Sequence, residues 1–481
     1  MNINDKYEAV IGLEVHAQLL TKSKIFSGDD TSFGRSPNTQ VSAITLALPG
    51  TLPKLNKEII EMAIKLGLAC HSHISPFNMF ERKNYFYADL PKGYQISQDK
   101  TPICVGGYMD IEINEGIKRV ELTRIHMEED AGKNNHELDE HYSMVDLNRA
   151  GVPLLEIVSE PCIRSSDEAY AYLTEMRKLV RYLDICDGNM EEGSMRCDAN
   201  VSIRLKGATE LGTKVEVKNM NSIRNVKRAI DGEVSRQIAL LESGGVIEQQ
   251  TRSFDPNDGS SFPLRSKEFA HDYRYFPEPD LPPVVITEER LEEIRIKMPY
   301  LPWELVNMFI DKFQLPEYDA KVLTAEKETA LFFLDATKYT QNFKSLANWM
   351  MGEVRSVLHE KNTTLESLRL TPNILCELIK LVDDGKLNSN GAKALFHKSL
   401  EDNNKDLLQL ADELNLIQNS DENALASYIK DVLAKYPDKV VEYKKGKKGV
   451  MGLFMGDIMR LSKGKADPKI TTKLLEEYLN Q

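Results

Sequence analysis

From residue 11 to residue 19 the chain alternates: Ile11, Leu13, Val15, Ala17 and Leu19 are apolar, while Gly12, Glu14, His16 and Gln18 are not. Side chains two apart on a strand share a face, so the pattern predicts a strand with one dry and one wet side. The alternation recurs at Met109, Ile111 and Ile113 around Asp110 and Glu112, at Val201, Ile203 and Leu205, and at Val215 and Val217 between Lys214, Glu216 and Lys218. Parallel sheets are buried on both sides and read as continuous apolar runs, so short strands with a polar face predict a mainly antiparallel sheet.

Helices interrupt these strands. One is expected near Ser165, where Glu168 completes an S-x-x-E capping box, and another from about Asn221 to the Gly244-Gly245 stop. A proline cluster at Pro277, Pro279, Pro282 and Pro283 then breaks the pattern, and after Glu288 the periodicity is helical. Thr371-Pro372 and Gly385 bracket one of these later helices as N-cap, first-turn proline and C-terminal glycine. The fold class expected is α+β, with a sheet-based domain over 1–293, an all-helical domain over 294–408 and a small helical tail over 409–481.

Composition fits several cores: 481 residues, 41% hydrophobic and 28% charged. No stretch approaches the roughly 20 apolar residues of a membrane span, and Glu14 and His16 stand where a signal peptide needs an apolar centre. A cytoplasmic protein with no membrane contact is expected. The cysteines (Cys70, Cys104, Cys162, Cys186, Cys197, Cys376) show no C-x-x-C or C-x-C spacing, which indicates neither a zinc knuckle nor a disulfide framework. A net charge of -13 argues against a chain that coats nucleic acid over its whole surface. Locally the sign reverses: residues 439–473 carry ten Lys or Arg against three acids. Gly449, Gly452 and Gly456 fall at i, i+3 and i+7 there, a bare helical face that suits either an approaching RNA backbone or tight helix packing.

Glu14 and His16 leave the same strand face with Cα atoms about 7 Å apart and can converge on one ligand. An acidic run at Glu128, Glu129 and Asp130, and Glu156 alone in an apolar strand-like stretch, add carboxylates that are costly to bury unpaired. A hard cation such as magnesium resolves that cost, with His16 as its softer ligand or as the holder of a bound water. On spacing alone the plainer reading is a solvated sheet face and an acidic surface turn. The run from Arg82 to Tyr87 interleaves cations with aromatics, which can hold phosphate while stacking a base or simply pack as a cation-π strand. There is no P-loop, no strand-linked G-x-G-x-x-G and no nucleophile elbow.

Taken together, VIGLEVH (10–16), RKNYFY (82–87), HMEEDAG (126–132), PLLEIVSEP (153–161), EEGSMRCDAN (191–200) and DYRYFPEPD (272–280) resemble the GatB family, the B subunits of the tRNA-dependent amidotransferases called GatCAB. The resemblance implies a cradle domain with kinase and transamidase chemistry, a helical domain and a YqeY-like tail that touches tRNA. It implies ATP and Mg²⁺ as cofactors, tRNA(Gln) or tRNA(Asn) as partner, and a heterotrimer with a GatA-like glutaminase and a GatC-like subunit. By the same similarity, metal ligation falls on Glu14, His16, Glu129 and Glu156. Lys83, Glu128, Asn200 and Lys218 are expected in catalysis, and Arg82, Lys83 and Lys214 at the ATP phosphates. tRNA contacts are expected at Lys444, Lys445, Lys447, Lys448, Gly452, Lys463 and Lys465. Many members carry a zinc site where this chain has Ser27, Asp29, Ser42 and Thr45, so no zinc is expected. A tRNA-binding adaptor without catalysis of its own is the alternative that the basic tail and the missing P-loop allow.

Overall fold

The computed structural model describes residues 6–135, 139, 141–264, 273–401, 406–418, 422–462 and 464–480. The chain forms two units, Met1–Pro302 and Trp303–Gln481.

In the first unit the elements that build the site are β1 (Tyr7–Gln18), α1 (Lys57–Ala69), β2 (Glu81–Asn84), β3 (Tyr94–Ser97), β4 (Gly116–Glu129), β5 (Pro153–Ser159), α2 (Ser166–Tyr182), β6 (Met195–Leu205), β7 (Val215–Met220), α3 (Ile223–Glu242), β8 (Gln250–Phe254) and β9 (Ser261–Pro263). The main sheet runs β9-β8-β7-β6-β1-β5-β4 and continues through Cys104–Val105 and His73–Ile74, with Tyr108–Ile113 paired along the first half of β4. Its pairs are antiparallel as expected, except β7 with β8, which are parallel and joined through α3. A parallel pair needs such a crossover, because a tight hairpin cannot return a strand in the same direction.

β1 is a middle strand of this sheet, and its alternation gives it one buried and one polar face. Ile11, Leu13, Val15 and Ala17 are fully buried in one core with Ile59 and Leu66 of α1, Tyr172 and Met176 of α2, and Ile230 of α3. Each of the larger aliphatic side chains among them contributes about 1.5–3 kcal/mol relative to exposure. The intervening residues face the other way, which leaves a polar sheet face on the side opposite the helices. Ser165 caps α2 by accepting from the N–H of Glu168 at 3.2 Å, while the Glu168 carboxylate reaches back one residue further than a capping box, to the N–H of Arg164 at 2.6 Å. A separate small sheet of β2, β3 and Phe276–Pro277 stands beside the end of β4.

The expected break at 293/294 falls inside the helix Glu288–Ile296, whose Ile294 is buried in the core of the first unit and whose Arg290 pairs with Glu61 of α1 at 3.0 Å. Helical periodicity begins before the chain leaves that core. In the second unit, Thr371 caps Pro372–Asp383 and Gly385 closes it with φ +72°. The helix Leu407–Glu413 spans 408/409, and beyond it Leu425, Ile429, Phe454, Ile458, Leu475 and Leu479 form a core of their own. No helix among the described residues is long and apolar enough to cross a membrane.

Candidate active site on the polar face of the sheet

Strand register assembles the site. His16 on β1 lies opposite Glu156 on β5, and Glu156 lies opposite His126 on β4, so three side chains form one row across three strands. Glu128, two residues beyond His126, leaves the same face. His16 Nε2 is 3.4 Å from Glu156 Oε2 and 4.0 Å from Glu128 Oε1. His126 Nε2 is 3.4 Å from Glu156 and 3.7 Å from Glu128, while its Nδ1 is buried with no hydrogen-bond partner among the described residues. Burial alone would lower the His16 pKa, but the hydrogen bond and charge of Glu156, helped by Glu128 and Asp198, push it up to about 9. Burial works the opposite way on Glu156, and the His126 and His16 rings outweigh it, holding the carboxyl well below the usual range.

A second group adjoins the first. Glu14 lies opposite Asp198 of β6, and Glu216 of β7 completes a set whose ligand atoms lie within 4.8 Å of one another, as do those of His16, Glu128 and Glu156. Burial first, then the charges of Glu156, Glu216 and Asp198, raise the Glu14 pKa, and a 2.8 Å hydrogen bond from Asn200 offsets part of that. Lys218 sits among these acids, 2.7 Å from Asp198 and 2.9 Å from Glu216, and their charges outweigh burial to keep it protonated. A β-bulge aims it: between the pairs Cys197–Met220 and Ala199–Val217, β7 has Lys218 and Asn219 where β6 has only Asp198. Asn219 takes φ +68°, a left-handed conformation that Asn tolerates better than most side chains.

The predicted residues therefore divide. Glu14 joins the second group and His16 and Glu156 the first, which Glu128 completes. Glu129 is elsewhere: neighbours along a strand face opposite sides, so its carboxylate turns to the N–H of Ile96 at 2.8 Å and to Lys92. Lys83 stands near Glu128 and Glu156, whose charges outweigh burial and raise its pKa, and 4.9 Å from the Tyr273 ring centre. Arg82 is taken up by Glu278 at 2.7 and 2.8 Å and by Asp280 at 3.2 Å, so its guanidinium serves the small sheet. Lys214 is exposed just before β7. Sequence reasoning gave no individual role to His126, Asp198 or Glu216, although each lies in a polar or motif-bearing run, and register alone shows what they oppose.

Both groups fit a hard divalent cation. They supply carboxylate oxygens plus one imidazole, and their mutual repulsion is the kind that such an ion relieves. Ser27, Asp29, Ser42 and Thr45 come together as an oxygen-only knot. The Asp29 carboxylate accepts from the Ser27 hydroxyl at 3.0 Å, from the Ser42 N–H at 2.9 Å and from the Thr45 hydroxyl. Hydroxyls and one carboxylate are not the thiolate and imidazole donors of structural zinc.

In the second unit Lys444, Lys445, Lys447 and Lys448 are exposed, as are Gly449, Gly452 and Gly456. Gly449 lies in a 3-10 turn, Lys448–Val450, and the other two on the helix Met451–Leu461. A Cβ at any of these glycines would meet nothing within 4 Å, so packing within the described chain is not what keeps them bare. Lys465 is partly buried, its ammonium 3.4 Å from Asn415, and Lys463 lies outside the described residues.

Comparison with known proteins gives a consistent result. A family model described as the GatB/GatE catalytic domain matches residues 9–292, and one described as the GatB domain matches residues 331–479. A protein of Thermodesulfovibrio yellowstonii is 48% identical over 476 residues, covering 99% of this chain and 100% of that one. A protein of Geotalea uraniireducens is 50% identical over 480 residues with the same coverage. Each is named as the B subunit of an aspartyl/glutamyl-tRNA(Asn/Gln) amidotransferase.

Proposed function

This chain belongs to the GatB family, the B subunits of tRNA-dependent amidotransferases, and from that premise we propose that it activates the side-chain carboxylate of Glu-tRNA(Gln), Asp-tRNA(Asn) or both with ATP. A carboxylate is a poor electrophile. Its oxygen attacks the γ-phosphorus, the bond to ADP breaks, and the resulting acyl phosphate carries a good leaving group. Ammonia adds to the acyl carbon, phosphate departs, and the nitrogen gives up a proton to leave the amide.

One observation carries this reading: two acidic groups with ligand-like spacing lie side by side on one sheet face, accompanied by Lys83, Lys218 and Asn200. Magnesium would be held by His16, Glu128 and Glu156, with Glu14, Asp198 and Glu216 as a second donor set, and would supply charge neutralisation at the phosphoryl group. Lys83, which makes no ion pair among the described residues, binds phosphoryl oxygens beside Glu128 and Glu156. Asn200 and Lys218 orient Glu14, Asp198 and Glu216. The sequence has no amidase-like serine and lysine signature, so ammonia comes from a GatA-like glutaminase partner, with a GatC-like third subunit. The exposed lysines and bare glycines of the tail suit a tRNA backbone.

The test is formation of Gln-tRNA from Glu-tRNA(Gln), ATP and ammonia by the reconstituted complex. Glu156→Gln should lower the rate about 100-fold or more by weakening the metal site. An inactive wild-type complex, or a Glu156→Gln complex as fast as wild type, would overturn the reading.

A further inference from the structure

Five carboxylates face the proposed site, so an anionic substrate group needs cationic donors that are still open, of which Lys83 is one. Lys218 is matched by two carboxylates and Arg82 by two others. Arg196 is different. It lies opposite His16 in the pairing of β1 with β6, on the same sheet face, where directly opposed Cβ atoms are about 4.5–5.5 Å apart. Its only side-chain hydrogen bond among the described residues runs from Nη2 to Asp130 Oδ2 at 2.9 Å, which leaves Nε and Nη1 without an acceptor among them, and its side chain is 32% exposed.

Asp130 is built to hold it. The carboxylate is buried, and the oxygen that meets Arg196 also accepts from Gln18 Nε2 at 2.8 Å. The other oxygen, Oδ1, accepts from the N–H of Ala131 at 2.9 Å, and Arg149 Nε stands 3.7 Å from Oδ2. Backbone bonds to Val152 and from Gly151, at 2.8 and 2.9 Å, fix the residue itself. The acid is thus held from several sides, and it holds one nitrogen of a guanidinium whose remaining donors are available to the site.

We propose that Arg196 is the oxyanion seat of this site, binding a phosphoryl or carboxylate oxygen of the substrates beside His16, and that Asp130 is the residue that positions it. The planar fork of arginine matches such oxygens with two parallel hydrogen bonds, which a lysine ammonium cannot reproduce. The assignment rests on the ligase reading above, because it is the ATP and the aminoacyl side chain that bring an oxyanion there.

Arg196→Lys and Arg196→Gln in the full reconstituted complex test it by steady-state kinetics in ATP and in Glu-tRNA(Gln), with Mn²⁺ titration alongside. Arg196→Lys should lower kcat/KM about 10- to 100-fold, and Asp130→Asn should move the same parameter by about 10-fold, with Mn²⁺ affinity within about twofold of wild type in each. Loss confined to the ATP parameters identifies a phosphoryl group, and loss confined to the tRNA parameters identifies the carboxylate. Two results overturn the proposal while the wild-type complex is active: Arg196 variants with wild-type kinetics, or losses that follow an equal loss of Mn²⁺ affinity. A wild-type complex that makes no Gln-tRNA refutes the ligase reading instead.

Discussion

His16 shows how a neighbouring carboxylate changes what a histidine does. With its pKa raised from 6.5 to about 9, the ring is protonated at neutral pH in the metal-free protein and pairs with Glu156. A metal can use that nitrogen only after the proton leaves. Metal affinity should therefore rise with pH from neutrality to about 9, with protons released on binding, measurable by calorimetry in two buffers of different ionisation heat. The sign for stability is opposite: the metal-free protein gains most from His16 below 6.5 and loses that gain as pH rises through about 9. Glu128 and Glu129 make a sharper contrast. Glu128→Gln should weaken Mn²⁺ binding. Glu129→Gln removes the charged acceptor of the Ile96 N–H and should cost about 1–3 kcal/mol in denaturant unfolding while leaving Mn²⁺ binding unchanged.

Among the elements, the β7 bulge has the largest functional consequence, because one extra residue turns Lys218 toward Asp198 and Glu216. Asn219→Val places a β-branched side chain at φ +68° and should cost about 1–2 kcal/mol while lowering kcat. Asn219→Gly keeps the conformation and should retain most of the activity, so comparing the two variants separates backbone aim from the Asn side chain. The strand was readable from Val215 and Val217, but the bulge was not, since it depends on how β7 pairs with β6. The same limit applies to β1. Alternation placed Glu14 and His16 on one face correctly, yet each joins a different group, because Asp198 stands opposite one and Glu156 opposite the other.

For the whole chain, the acidic total conceals a division of charge: the net is -13, but 439–473 is +7, from ten basic residues less three acids. tRNA recruitment should depend on that segment and on salt. Lys444→Glu with Lys445→Glu should raise the KM for tRNA and flatten its log-log salt dependence by roughly 0.9 for each phosphate no longer neutralised. The same pair should leave Mn²⁺ binding unchanged. Gly452→Ala should gain up to about 1 kcal/mol of helix stability, since nothing in the described chain opposes a Cβ there, while weakening tRNA binding.

Hydrophobic periodicity and local turn chemistry were enough to specify the α+β class, a strand over 11–19 with its wet face, and the capped helices at Ser165 and Thr371, because these depend on residues a few positions apart; the resemblance to the family came from the six motifs instead. Long-range pairing had to decide the rest. It set Glu156 between two histidines, brought Asp198 and Glu216 to Glu14, committed Arg82 to Glu278 and left Arg196 with open donors beside His16. The physical reason is that a strand dictates which side a side chain leaves from, whereas its neighbours across the sheet come from segments up to about two hundred residues away, and only register makes them adjacent.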